Sequence, residues 1–548
     1  MLGEQGGVMG GDDSGCAKDL GTFLEARITR RSLLKGGAAM GALAAIGPIA
    51  SACGGTGTSA SPSSSSGAPK SGGNARIGLV GGSAKDTADP HRAAFEPDDA
   101  LNWLMYEGLV EFAPDYKPRL VLAEEVTPNA TGTEWTVRVK PDILWHDGKP
   151  LTADDVVFSF QRIVNPKAPL DGASGLPGLT PAGITKVDAR TVKFTFQKAN
   201  VIFGTDGLAS RLVHVVPVDF DPLKPVGTGA FKLDSFKPGE QFVLSAFKDY
   251  HGGAPHLDKL TLIEFNDPTA RSNALQSGTI DALCELPAAQ KTVIDGTPGL
   301  ASLNAKSGGW LPFCMRIDQK PFTDVRVRQA FRLMADRPQI IEQAYDGIAW
   351  LGNDVYSPFD PGYPKLAQRV QDLQQARSLL KQAGYDNNLS VELVTGDAAG
   401  SGAVAAAQVF AEQAKGAGVN IKVNKVDSSV LFGSNYTKWT FSMTWWGLRN
   451  YLQEAAVSMM PGAPYNETHW QSAKWLAIVN EAFATVDQTK RNELIGEAAT
   501  IDYNEGGYII PTFKNQLDAY SQKLAGLEMN DVTGTPLGRW RFHDVYFK

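Results

Sequence analysis

The sequence predicts an α/β protein of more than one lobe, and three observations carry that prediction. Segments with two-residue apolar alternation and segments with a helical apolar stripe follow one another from about residue 75 to the C-terminus. The roughly 475 residues concerned exceed what one hydrophobic core holds. The composition, 43% hydrophobic and 9% aromatic, is ordinary for a globular body, and past residue 52 no run of about 18 apolar residues offers a membrane span.

Ahead of that body stands an address. Arg30 and Arg31 directly precede Gly36–Ala52, an uncharged stretch of small residues that ends Ile49-Ala50-Ser51-Ala52-Cys53. A twin arginine followed by an apolar segment reads as an export signal over residues 1–52. Gly36–Ala52 is short and too rich in Gly and Ala for a comfortable transmembrane helix, which is the competing reading. Cys53 after Ala50-Ser51-Ala52 resembles a bacterial lipobox. That resemblance implies cleavage before Cys53, a lipid on its sulfur, twin-arginine export of a folded chain, and attachment to the outer face of the cytoplasmic membrane. Leu33 stands where the twin-arginine motif often has Phe, and the leader is long, so a start codon downstream of Met1 stays open. Residues 53–74 are nearly all Gly, Ser, Thr, Ala and Pro, the composition of a flexible linker.

Within the body, Trp135, Val137 and Val139 mark one face of a strand, and the Asp147-Gly148 pair turns the chain. Thr152 and Asp155 have capping-box spacing ahead of the stripe Val156, Phe160, Ile163. Val192, Phe194 and Phe196 define the next strand, and Phe231–Ser235 with Gln241–Ala246 a hairpin. Leu260–Phe265, a helix opened by Asp267-Pro268 and closed by Gly278, and a strand Ile280–Cys284 follow. A second α/β unit begins after Pro287. It has strands at Phe313–Ile317, Leu389–Val394, Val419–Val426 and Phe441–Trp446, with helices at Asp324–Ala335, Pro338–Tyr345, a stripe from Leu373 to Ala383, and Ala403–Lys415. Helices at Lys474–Phe483 and Lys490–Tyr503 precede a final strand, Tyr508–Thr512.

The formal charge of −7 comes without a basic stripe, which argues against nucleic acid as a partner. Cys284 and Cys314 are the cysteines of the body; in an exported chain they form either a disulfide or two separate buried thiols. The seven histidines show no metal-binding spacing, and no cofactor or metal is expected.

Trp145-His146-Asp147-Gly148-Lys149-Pro150-Leu151-Thr152-Ala153-Asp154-Asp155-Val156 resembles the bacterial extracellular solute-binding protein family 5, the dipeptide, oligopeptide and nickel-type binding lipoproteins of ABC importers. Five other pieces recur in order: Asp89-Pro90-His91 with Tyr106-Glu107-Gly108-Leu109, Gly227-Thr228-Gly229-Ala230-Phe231, Leu275 to Ala282, Pro321 to Phe331, and Asn466 with Trp470. Physically these read as structural, with Gly227 and Gly229 serving a tight turn. The resemblance implies a two-lobed periplasmic-binding-protein-like fold, class II, of the large type with an extra inserted subdomain and a two-strand hinge. Lobe I would comprise 75–109, 213–308 and 507–548, the insertion 110–212, and lobe II 309–506. It also implies ligand capture in the cleft and a partner permease; a monomer is expected.

The candidate ligand segment is Trp445-Trp446-Gly447-Leu448-Arg449-Asn450. In peptide-binding relatives an Asp at the place of Asn450 holds the peptide's amino terminus. A neutral amide is weaker there, and Arg449 attracts carboxylate or phosphate rather than ammonium. Neighbouring strand residues face opposite ways, so one of Trp445 and Trp446 is core and the other faces the cleft or is core as well. Phe95 and Glu96 fall in a loop that, by the family's pattern, lines lobe I; Glu96 either replaces the missing acid or is a solvated glutamate. Trp310 is the candidate near the hinge. The expected function is therefore a receptor for a peptide or similar solute. A sugar-like, anionic or amino-blocked ligand is the alternative, and a cell-envelope enzyme is disfavoured because no nucleophile motif, catalytic acid pair or metal spacing is present.

Overall fold

The computed structural model describes residues 70–92 and 96–548. Arg30, Arg31, Cys53 and Phe95 lie outside the described residues. Lys70 bridges Phe547, and the Gly72 amide donates to the His256 carbonyl at 2.7 Å, so the last residues of the expected linker already touch the body.

Two large sheets organise the chain. The first runs Leu300–Trp310, Thr512–Ser521, Ala282–Leu283, Asn74–Val80, Lys259–Phe265, Gln241–Ala246, Phe231–Lys237, with Ala349–Leu351 also paired to Thr512–Ser521. The second runs Val419–Lys425, Leu389–Thr395, Phe441–Met443, Phe313–Met315, Tyr508–Ile509. The chain passes directly from one sheet to the other at 311–312 and again at 510–511, one strand end on each side, and these are the two crossings that join the lobes; between them Ala349–Leu351 reaches back to the first sheet beside Thr512–Lys514. A four-stranded sheet, Ala123–Pro128, Glu134–Val139, Thr191–Thr195 and Ile184–Lys186, is backed by the helix Ala153–Ile163 and forms its own core around Phe160, Phe194 and Phe203. Thr152 caps that helix through the expected capping box with Asp155.

The recurring motifs meet one another. Glu107 accepts from Thr228, Tyr250 and His251 at 2.8–2.9 Å, and His146 bonds the carbonyl of Gly229 at 2.9 Å. Arg162 holds Asp89 through both guanidinium nitrogens. The glycines of Gly227-Thr228-Gly229 serve close approach rather than a left-handed turn: a Cβ on Gly227 would stand 1.9 Å from the Met105 carbonyl oxygen. These pieces thus weld the insertion's start, the helix Glu96–Met105 and the first sheet into one body.

Of the two alternatives for the cysteines the structure has the second, and two expected strands are corrected. Cys284 and Cys314 are free thiols, because Cys284 packs in the core of the first sheet and Cys314 in a separate core beyond the crossing. The strand expected over Phe441–Trp446 ends at Met443, and Tyr508–Thr512 is not one strand: Tyr508–Ile509 belongs to the second sheet and Thr512 opens a ten-residue strand of the first.

Four arginines hold the returning crossing. Arg328 donates to the Glu505 carbonyl at 3.0 Å and Arg332 to the Tyr508 carbonyl at 3.1 Å. Arg337 pairs with Asp354 at 2.7 Å, both side chains fully buried. Arg369 joins the same carboxylate, and its other oxygen accepts the Ile510 amide at 2.9 Å. Burial pushes the Asp354 carboxyl upward, but Arg337, Arg369 and Arg332 outweigh it and hold the group below the usual carboxylate range. The segment Pro321–Phe331 therefore anchors the crossing through Arg328.

Candidate functional site

The first crossing and the segment after Met443 meet in an aromatic stack. Trp310 and Trp446 exchange backbone hydrogen bonds of 3.0 and 2.9 Å, and their rings stack at 6.0 Å. Trp310 also stacks on Tyr356, which stacks on Tyr451 at 4.8 Å. This ladder explains why the strand stops at Met443: from Trp446 onward the chain pairs with Trp310 instead. Leu448 then lies against the backbone of Gly308, where any Cβ would stand 2.4 Å from its side chain.

Beneath the ladder three carboxyl groups are buried. Glu467 accepts from Tyr436 and Tyr508 at 2.8 and 2.6 Å, and Asp502 from Tyr451 at 2.9 Å. Glu454 takes one ion-pair contact, 3.3 Å from Arg449, with the Ser458 hydroxyl beside it. Burial pushes each of the three up to about 7. Arg449 also stands over the Trp446 ring, 5.3 Å from its centroid.

Asn450 caps the helix Tyr451–Ser458 by position and reaches across to the insertion, where its Nδ2 donates to Asp206 at 2.9 Å. The Tyr116 hydroxyl donates to the Leu448 carbonyl at 3.3 Å alongside it. Tyr116, Asp206, Asp360, Asn450 and Arg491 line a cavity of about 50 Å³ between insertion and second lobe. Such a space holds a few waters and is far below the roughly 300 Å³ of a typical ligand pocket. Burial, with Asp360 nearby, raises the Asp206 carboxyl to about 6. Three polar atoms of this segment have no hydrogen-bond partner among the described residues: Trp446 Nε1, Asn450 Oδ1 and Glu454 Oε1.

Of the sequence-derived candidates, the structure brings together Trp310, Trp446, Leu448, Arg449 and Asn450. Trp310 and Trp446 are buried, whereas Trp445 is 39% exposed and Gly447 faces open space. Glu96 sits elsewhere, with its carboxyl against the Cys284 thiol; burial, then the charge of Glu285, pushes it up to about 8. Sequence reasoning missed Glu454, Asp206 and Asp360. Glu454 carried a signal, since it lies one helical turn after Asn450 and hence on the same face; the two aspartates become neighbours only through the fold.

Two lobes joined by two crossings, a separate insertion, and unsatisfied polar groups between them define a cleft-type binding protein. The comparisons agree. A profile of the bacterial extracellular solute-binding proteins, family 5 (middle), matches residues 117–465, and the chain belongs to that family. It is 26% identical over 460 residues to the heme-binding protein A of Haemophilus influenzae, covering 75% of this chain and 82% of that one. It is 25% identical over 480 residues to the glutathione-binding protein GsiB of Escherichia coli K12, covering 83% and 92%. The solved HbpA2 structure from Haemophilus parasuis superposes with a TM-score of 0.77 at 21% identity, over 87% of this chain and 100% of that one. The protein is thus a solute-binding component of the ABC-importer type, not an enzyme. Among the described residues no helix is long and apolar enough to cross a membrane.

Proposed function

We propose that this chain is a lipid-anchored peptide receptor, tethered through Cys53 outside the cytoplasmic membrane, which closes on a short peptide and presents it to ABC permease subunits. Lobe I is assigned to 75–109, 213–308 and 507–548, the insertion to 110–212 and lobe II to 309–506, and the receptor acts as a monomer. The observation that carries the reading is the run of unpartnered polar atoms at Trp446, Asn450 and Glu454 where insertion and second lobe meet. Buried polar groups are ordinarily satisfied, and two acceptors with one donor complement the N–H and C=O groups of a peptide. The similarity to a glutathione-binding protein, whose named ligand is itself a small peptide, supports the same class.

A non-peptide or amino-blocked ligand remains the second reading because Arg449 is a cation at the mouth of the site, 35% exposed. Mass spectrometry of small molecules released on denaturing the purified protein separates the two. Recovery of peptides supports the first reading; recovery of a sugar or organic anion in their place overturns it.

Two outcomes test its parts. Cys53→Ser is expected to move the protein from the membrane to the soluble fraction; unchanged fractionation removes the anchor. Asn450→Asp faces Asp206 with a second carboxylate, so it is expected to loosen the empty closed form. A ligand ammonium between the two acids offsets that repulsion. Calorimetry should therefore show free-amino peptides binding about tenfold tighter, a gain of about 1.4 kcal/mol, with no gain for N-acetylated ones. Equal gains for both would remove residue 450 from amine recognition.

A further inference from the structure

We propose that Arg449 is a resident stand-in for the cation of the cargo: its guanidinium fills a cradle made by the Glu454 carboxylate and the Trp446 indole, and a ligand ammonium or guanidinium displaces it. The inference rests on the receptor reading above and names the chemistry of the group that reading leaves open.

Three observations carry it. The Glu454 side chain is 1% exposed, its ion-pair partner is Arg449 at 3.3 Å through one nitrogen, and Oε1 accepts nothing among the described residues. A carboxylate so deeply buried calls for fuller pairing than one long ion-pair contact; the Ser458 hydroxyl, which also bears on this carboxyl, donates to the Glu454 backbone carbonyl at 2.9 Å. The same guanidinium stands 5.3 Å from the Trp446 ring centroid, and an indole face beside a carboxylate is a seat for a cation. Finally, Arg449 is the outer layer: a third of its side chain is exposed while Glu454 and Trp446 are buried. When this long side chain swings outward, acid and indole face the cleft.

Displacement also gives Arg449 a second task. A freed guanidinium takes a carboxylate in two parallel hydrogen bonds, so a ligand that brings its own cation and carries an anion nearby gains at both ends. Zwitterions with a primary ammonium or guanidinium are the favoured class. Asn450 Oδ1 offers the cation a further acceptor, and Trp446 Nε1 a donor to the group beside it.

The test uses simple cations. Thermal unfolding of Arg449→Ala is compared in about 10 mM methylammonium or methylguanidinium chloride and in sodium chloride of equal strength. A midpoint about 2 °C higher in the organic cation is expected. Wild type, whose seat is filled, and the double variant Arg449→Ala/Glu454→Gln, which lacks the acid, are expected not to respond. Equal midpoints for Arg449→Ala in all salts, or a response that survives in the double variant, would overturn the proposal. Arg449→Gln, which keeps the packing of the stem, gives the same reading where the alanine variant does not fold. The probe is not a peptide, so the outcomes separate. A response in Arg449→Ala with no peptide bound by the wild type keeps the seat and removes the peptide reading. Tight peptide binding without that response removes the seat alone.

Discussion

Asp354→Ala is expected to lower the unfolding free energy by about 3–5 kcal/mol and the melting midpoint by about 5 °C or more. The carboxylate lies between Arg337 and Arg369 while its other oxygen accepts the Ile510 amide. Removing it strands two cations, one fully buried, and orphans a backbone N–H at the crossing. The loss is therefore not confined to stability. Ile510 belongs to the chain segment that carries lobe II back to lobe I, so amide exchange at 508–512 should quicken more than exchange in the sheet Leu389–Thr395. Asp354→Asn keeps an oxygen for Ile510 but drops the charge and should fall between. Circular dichroism melts with hydrogen exchange check both; an alanine variant within about 1 kcal/mol of wild type would contradict the role assigned to this carboxylate.

Trp310→Ala carries the second large effect, again about 3–5 kcal/mol. The indole is 1% exposed and touches Trp446, Tyr356 and Tyr508. Each such ring pair adds about 0.5–1.5 kcal/mol beyond area burial. Its loss opens a cavity at the foot of the segment that bears Arg449 and Asn450, so ligand affinity should fall together with stability. Trp445→Ala, on an exposed ring, should leave the melt nearly unchanged. Equal melts for the two variants would show that the stack does not hold the site.

The fold was largely legible because its signals are local. The capping box at Thr152, the stripe from Leu373 to Ala383 and the alternation at Trp135 each depend on neighbours a few residues away. Two strands that make the crossings were not legible. In Leu300–Trp310, Ser302, Asn304 and Lys306 alternate with Ala301, Leu303 and Ala305, but the apolar partners are mostly small and Gly308-Gly309 break the pattern, so the strand signal is weak; it is a strand because Thr512–Ser521 pairs with it across more than two hundred residues. The same limit governs the site. Trp446 and Asn450 stood out by residue type and position. Their partners did not: Asp206 is 244 residues from Asn450, and Asp354 gains its meaning only when Ile510 returns beside it. Cys284 and Cys314 show the same limit: the sequence left a disulfide and two separate buried thiols equally open, and only the fold, which puts them in different cores, decides for free thiols.

The central claim, a hinged clamp that closes on cargo, is tested most directly by the distance between insertion and second lobe in solution. Probes on Lys186→Cys and Lys381→Cys, both exposed positions, report it once Cys16 and Cys53 are changed to Ser, with Cys284 and Cys314 protected by burial. With a short-peptide mixture that calorimetry shows to bind, the predicted result is a shift to one shorter, narrower distance by single-molecule energy transfer. An unchanged distance distribution in the presence of bound peptide would contradict it.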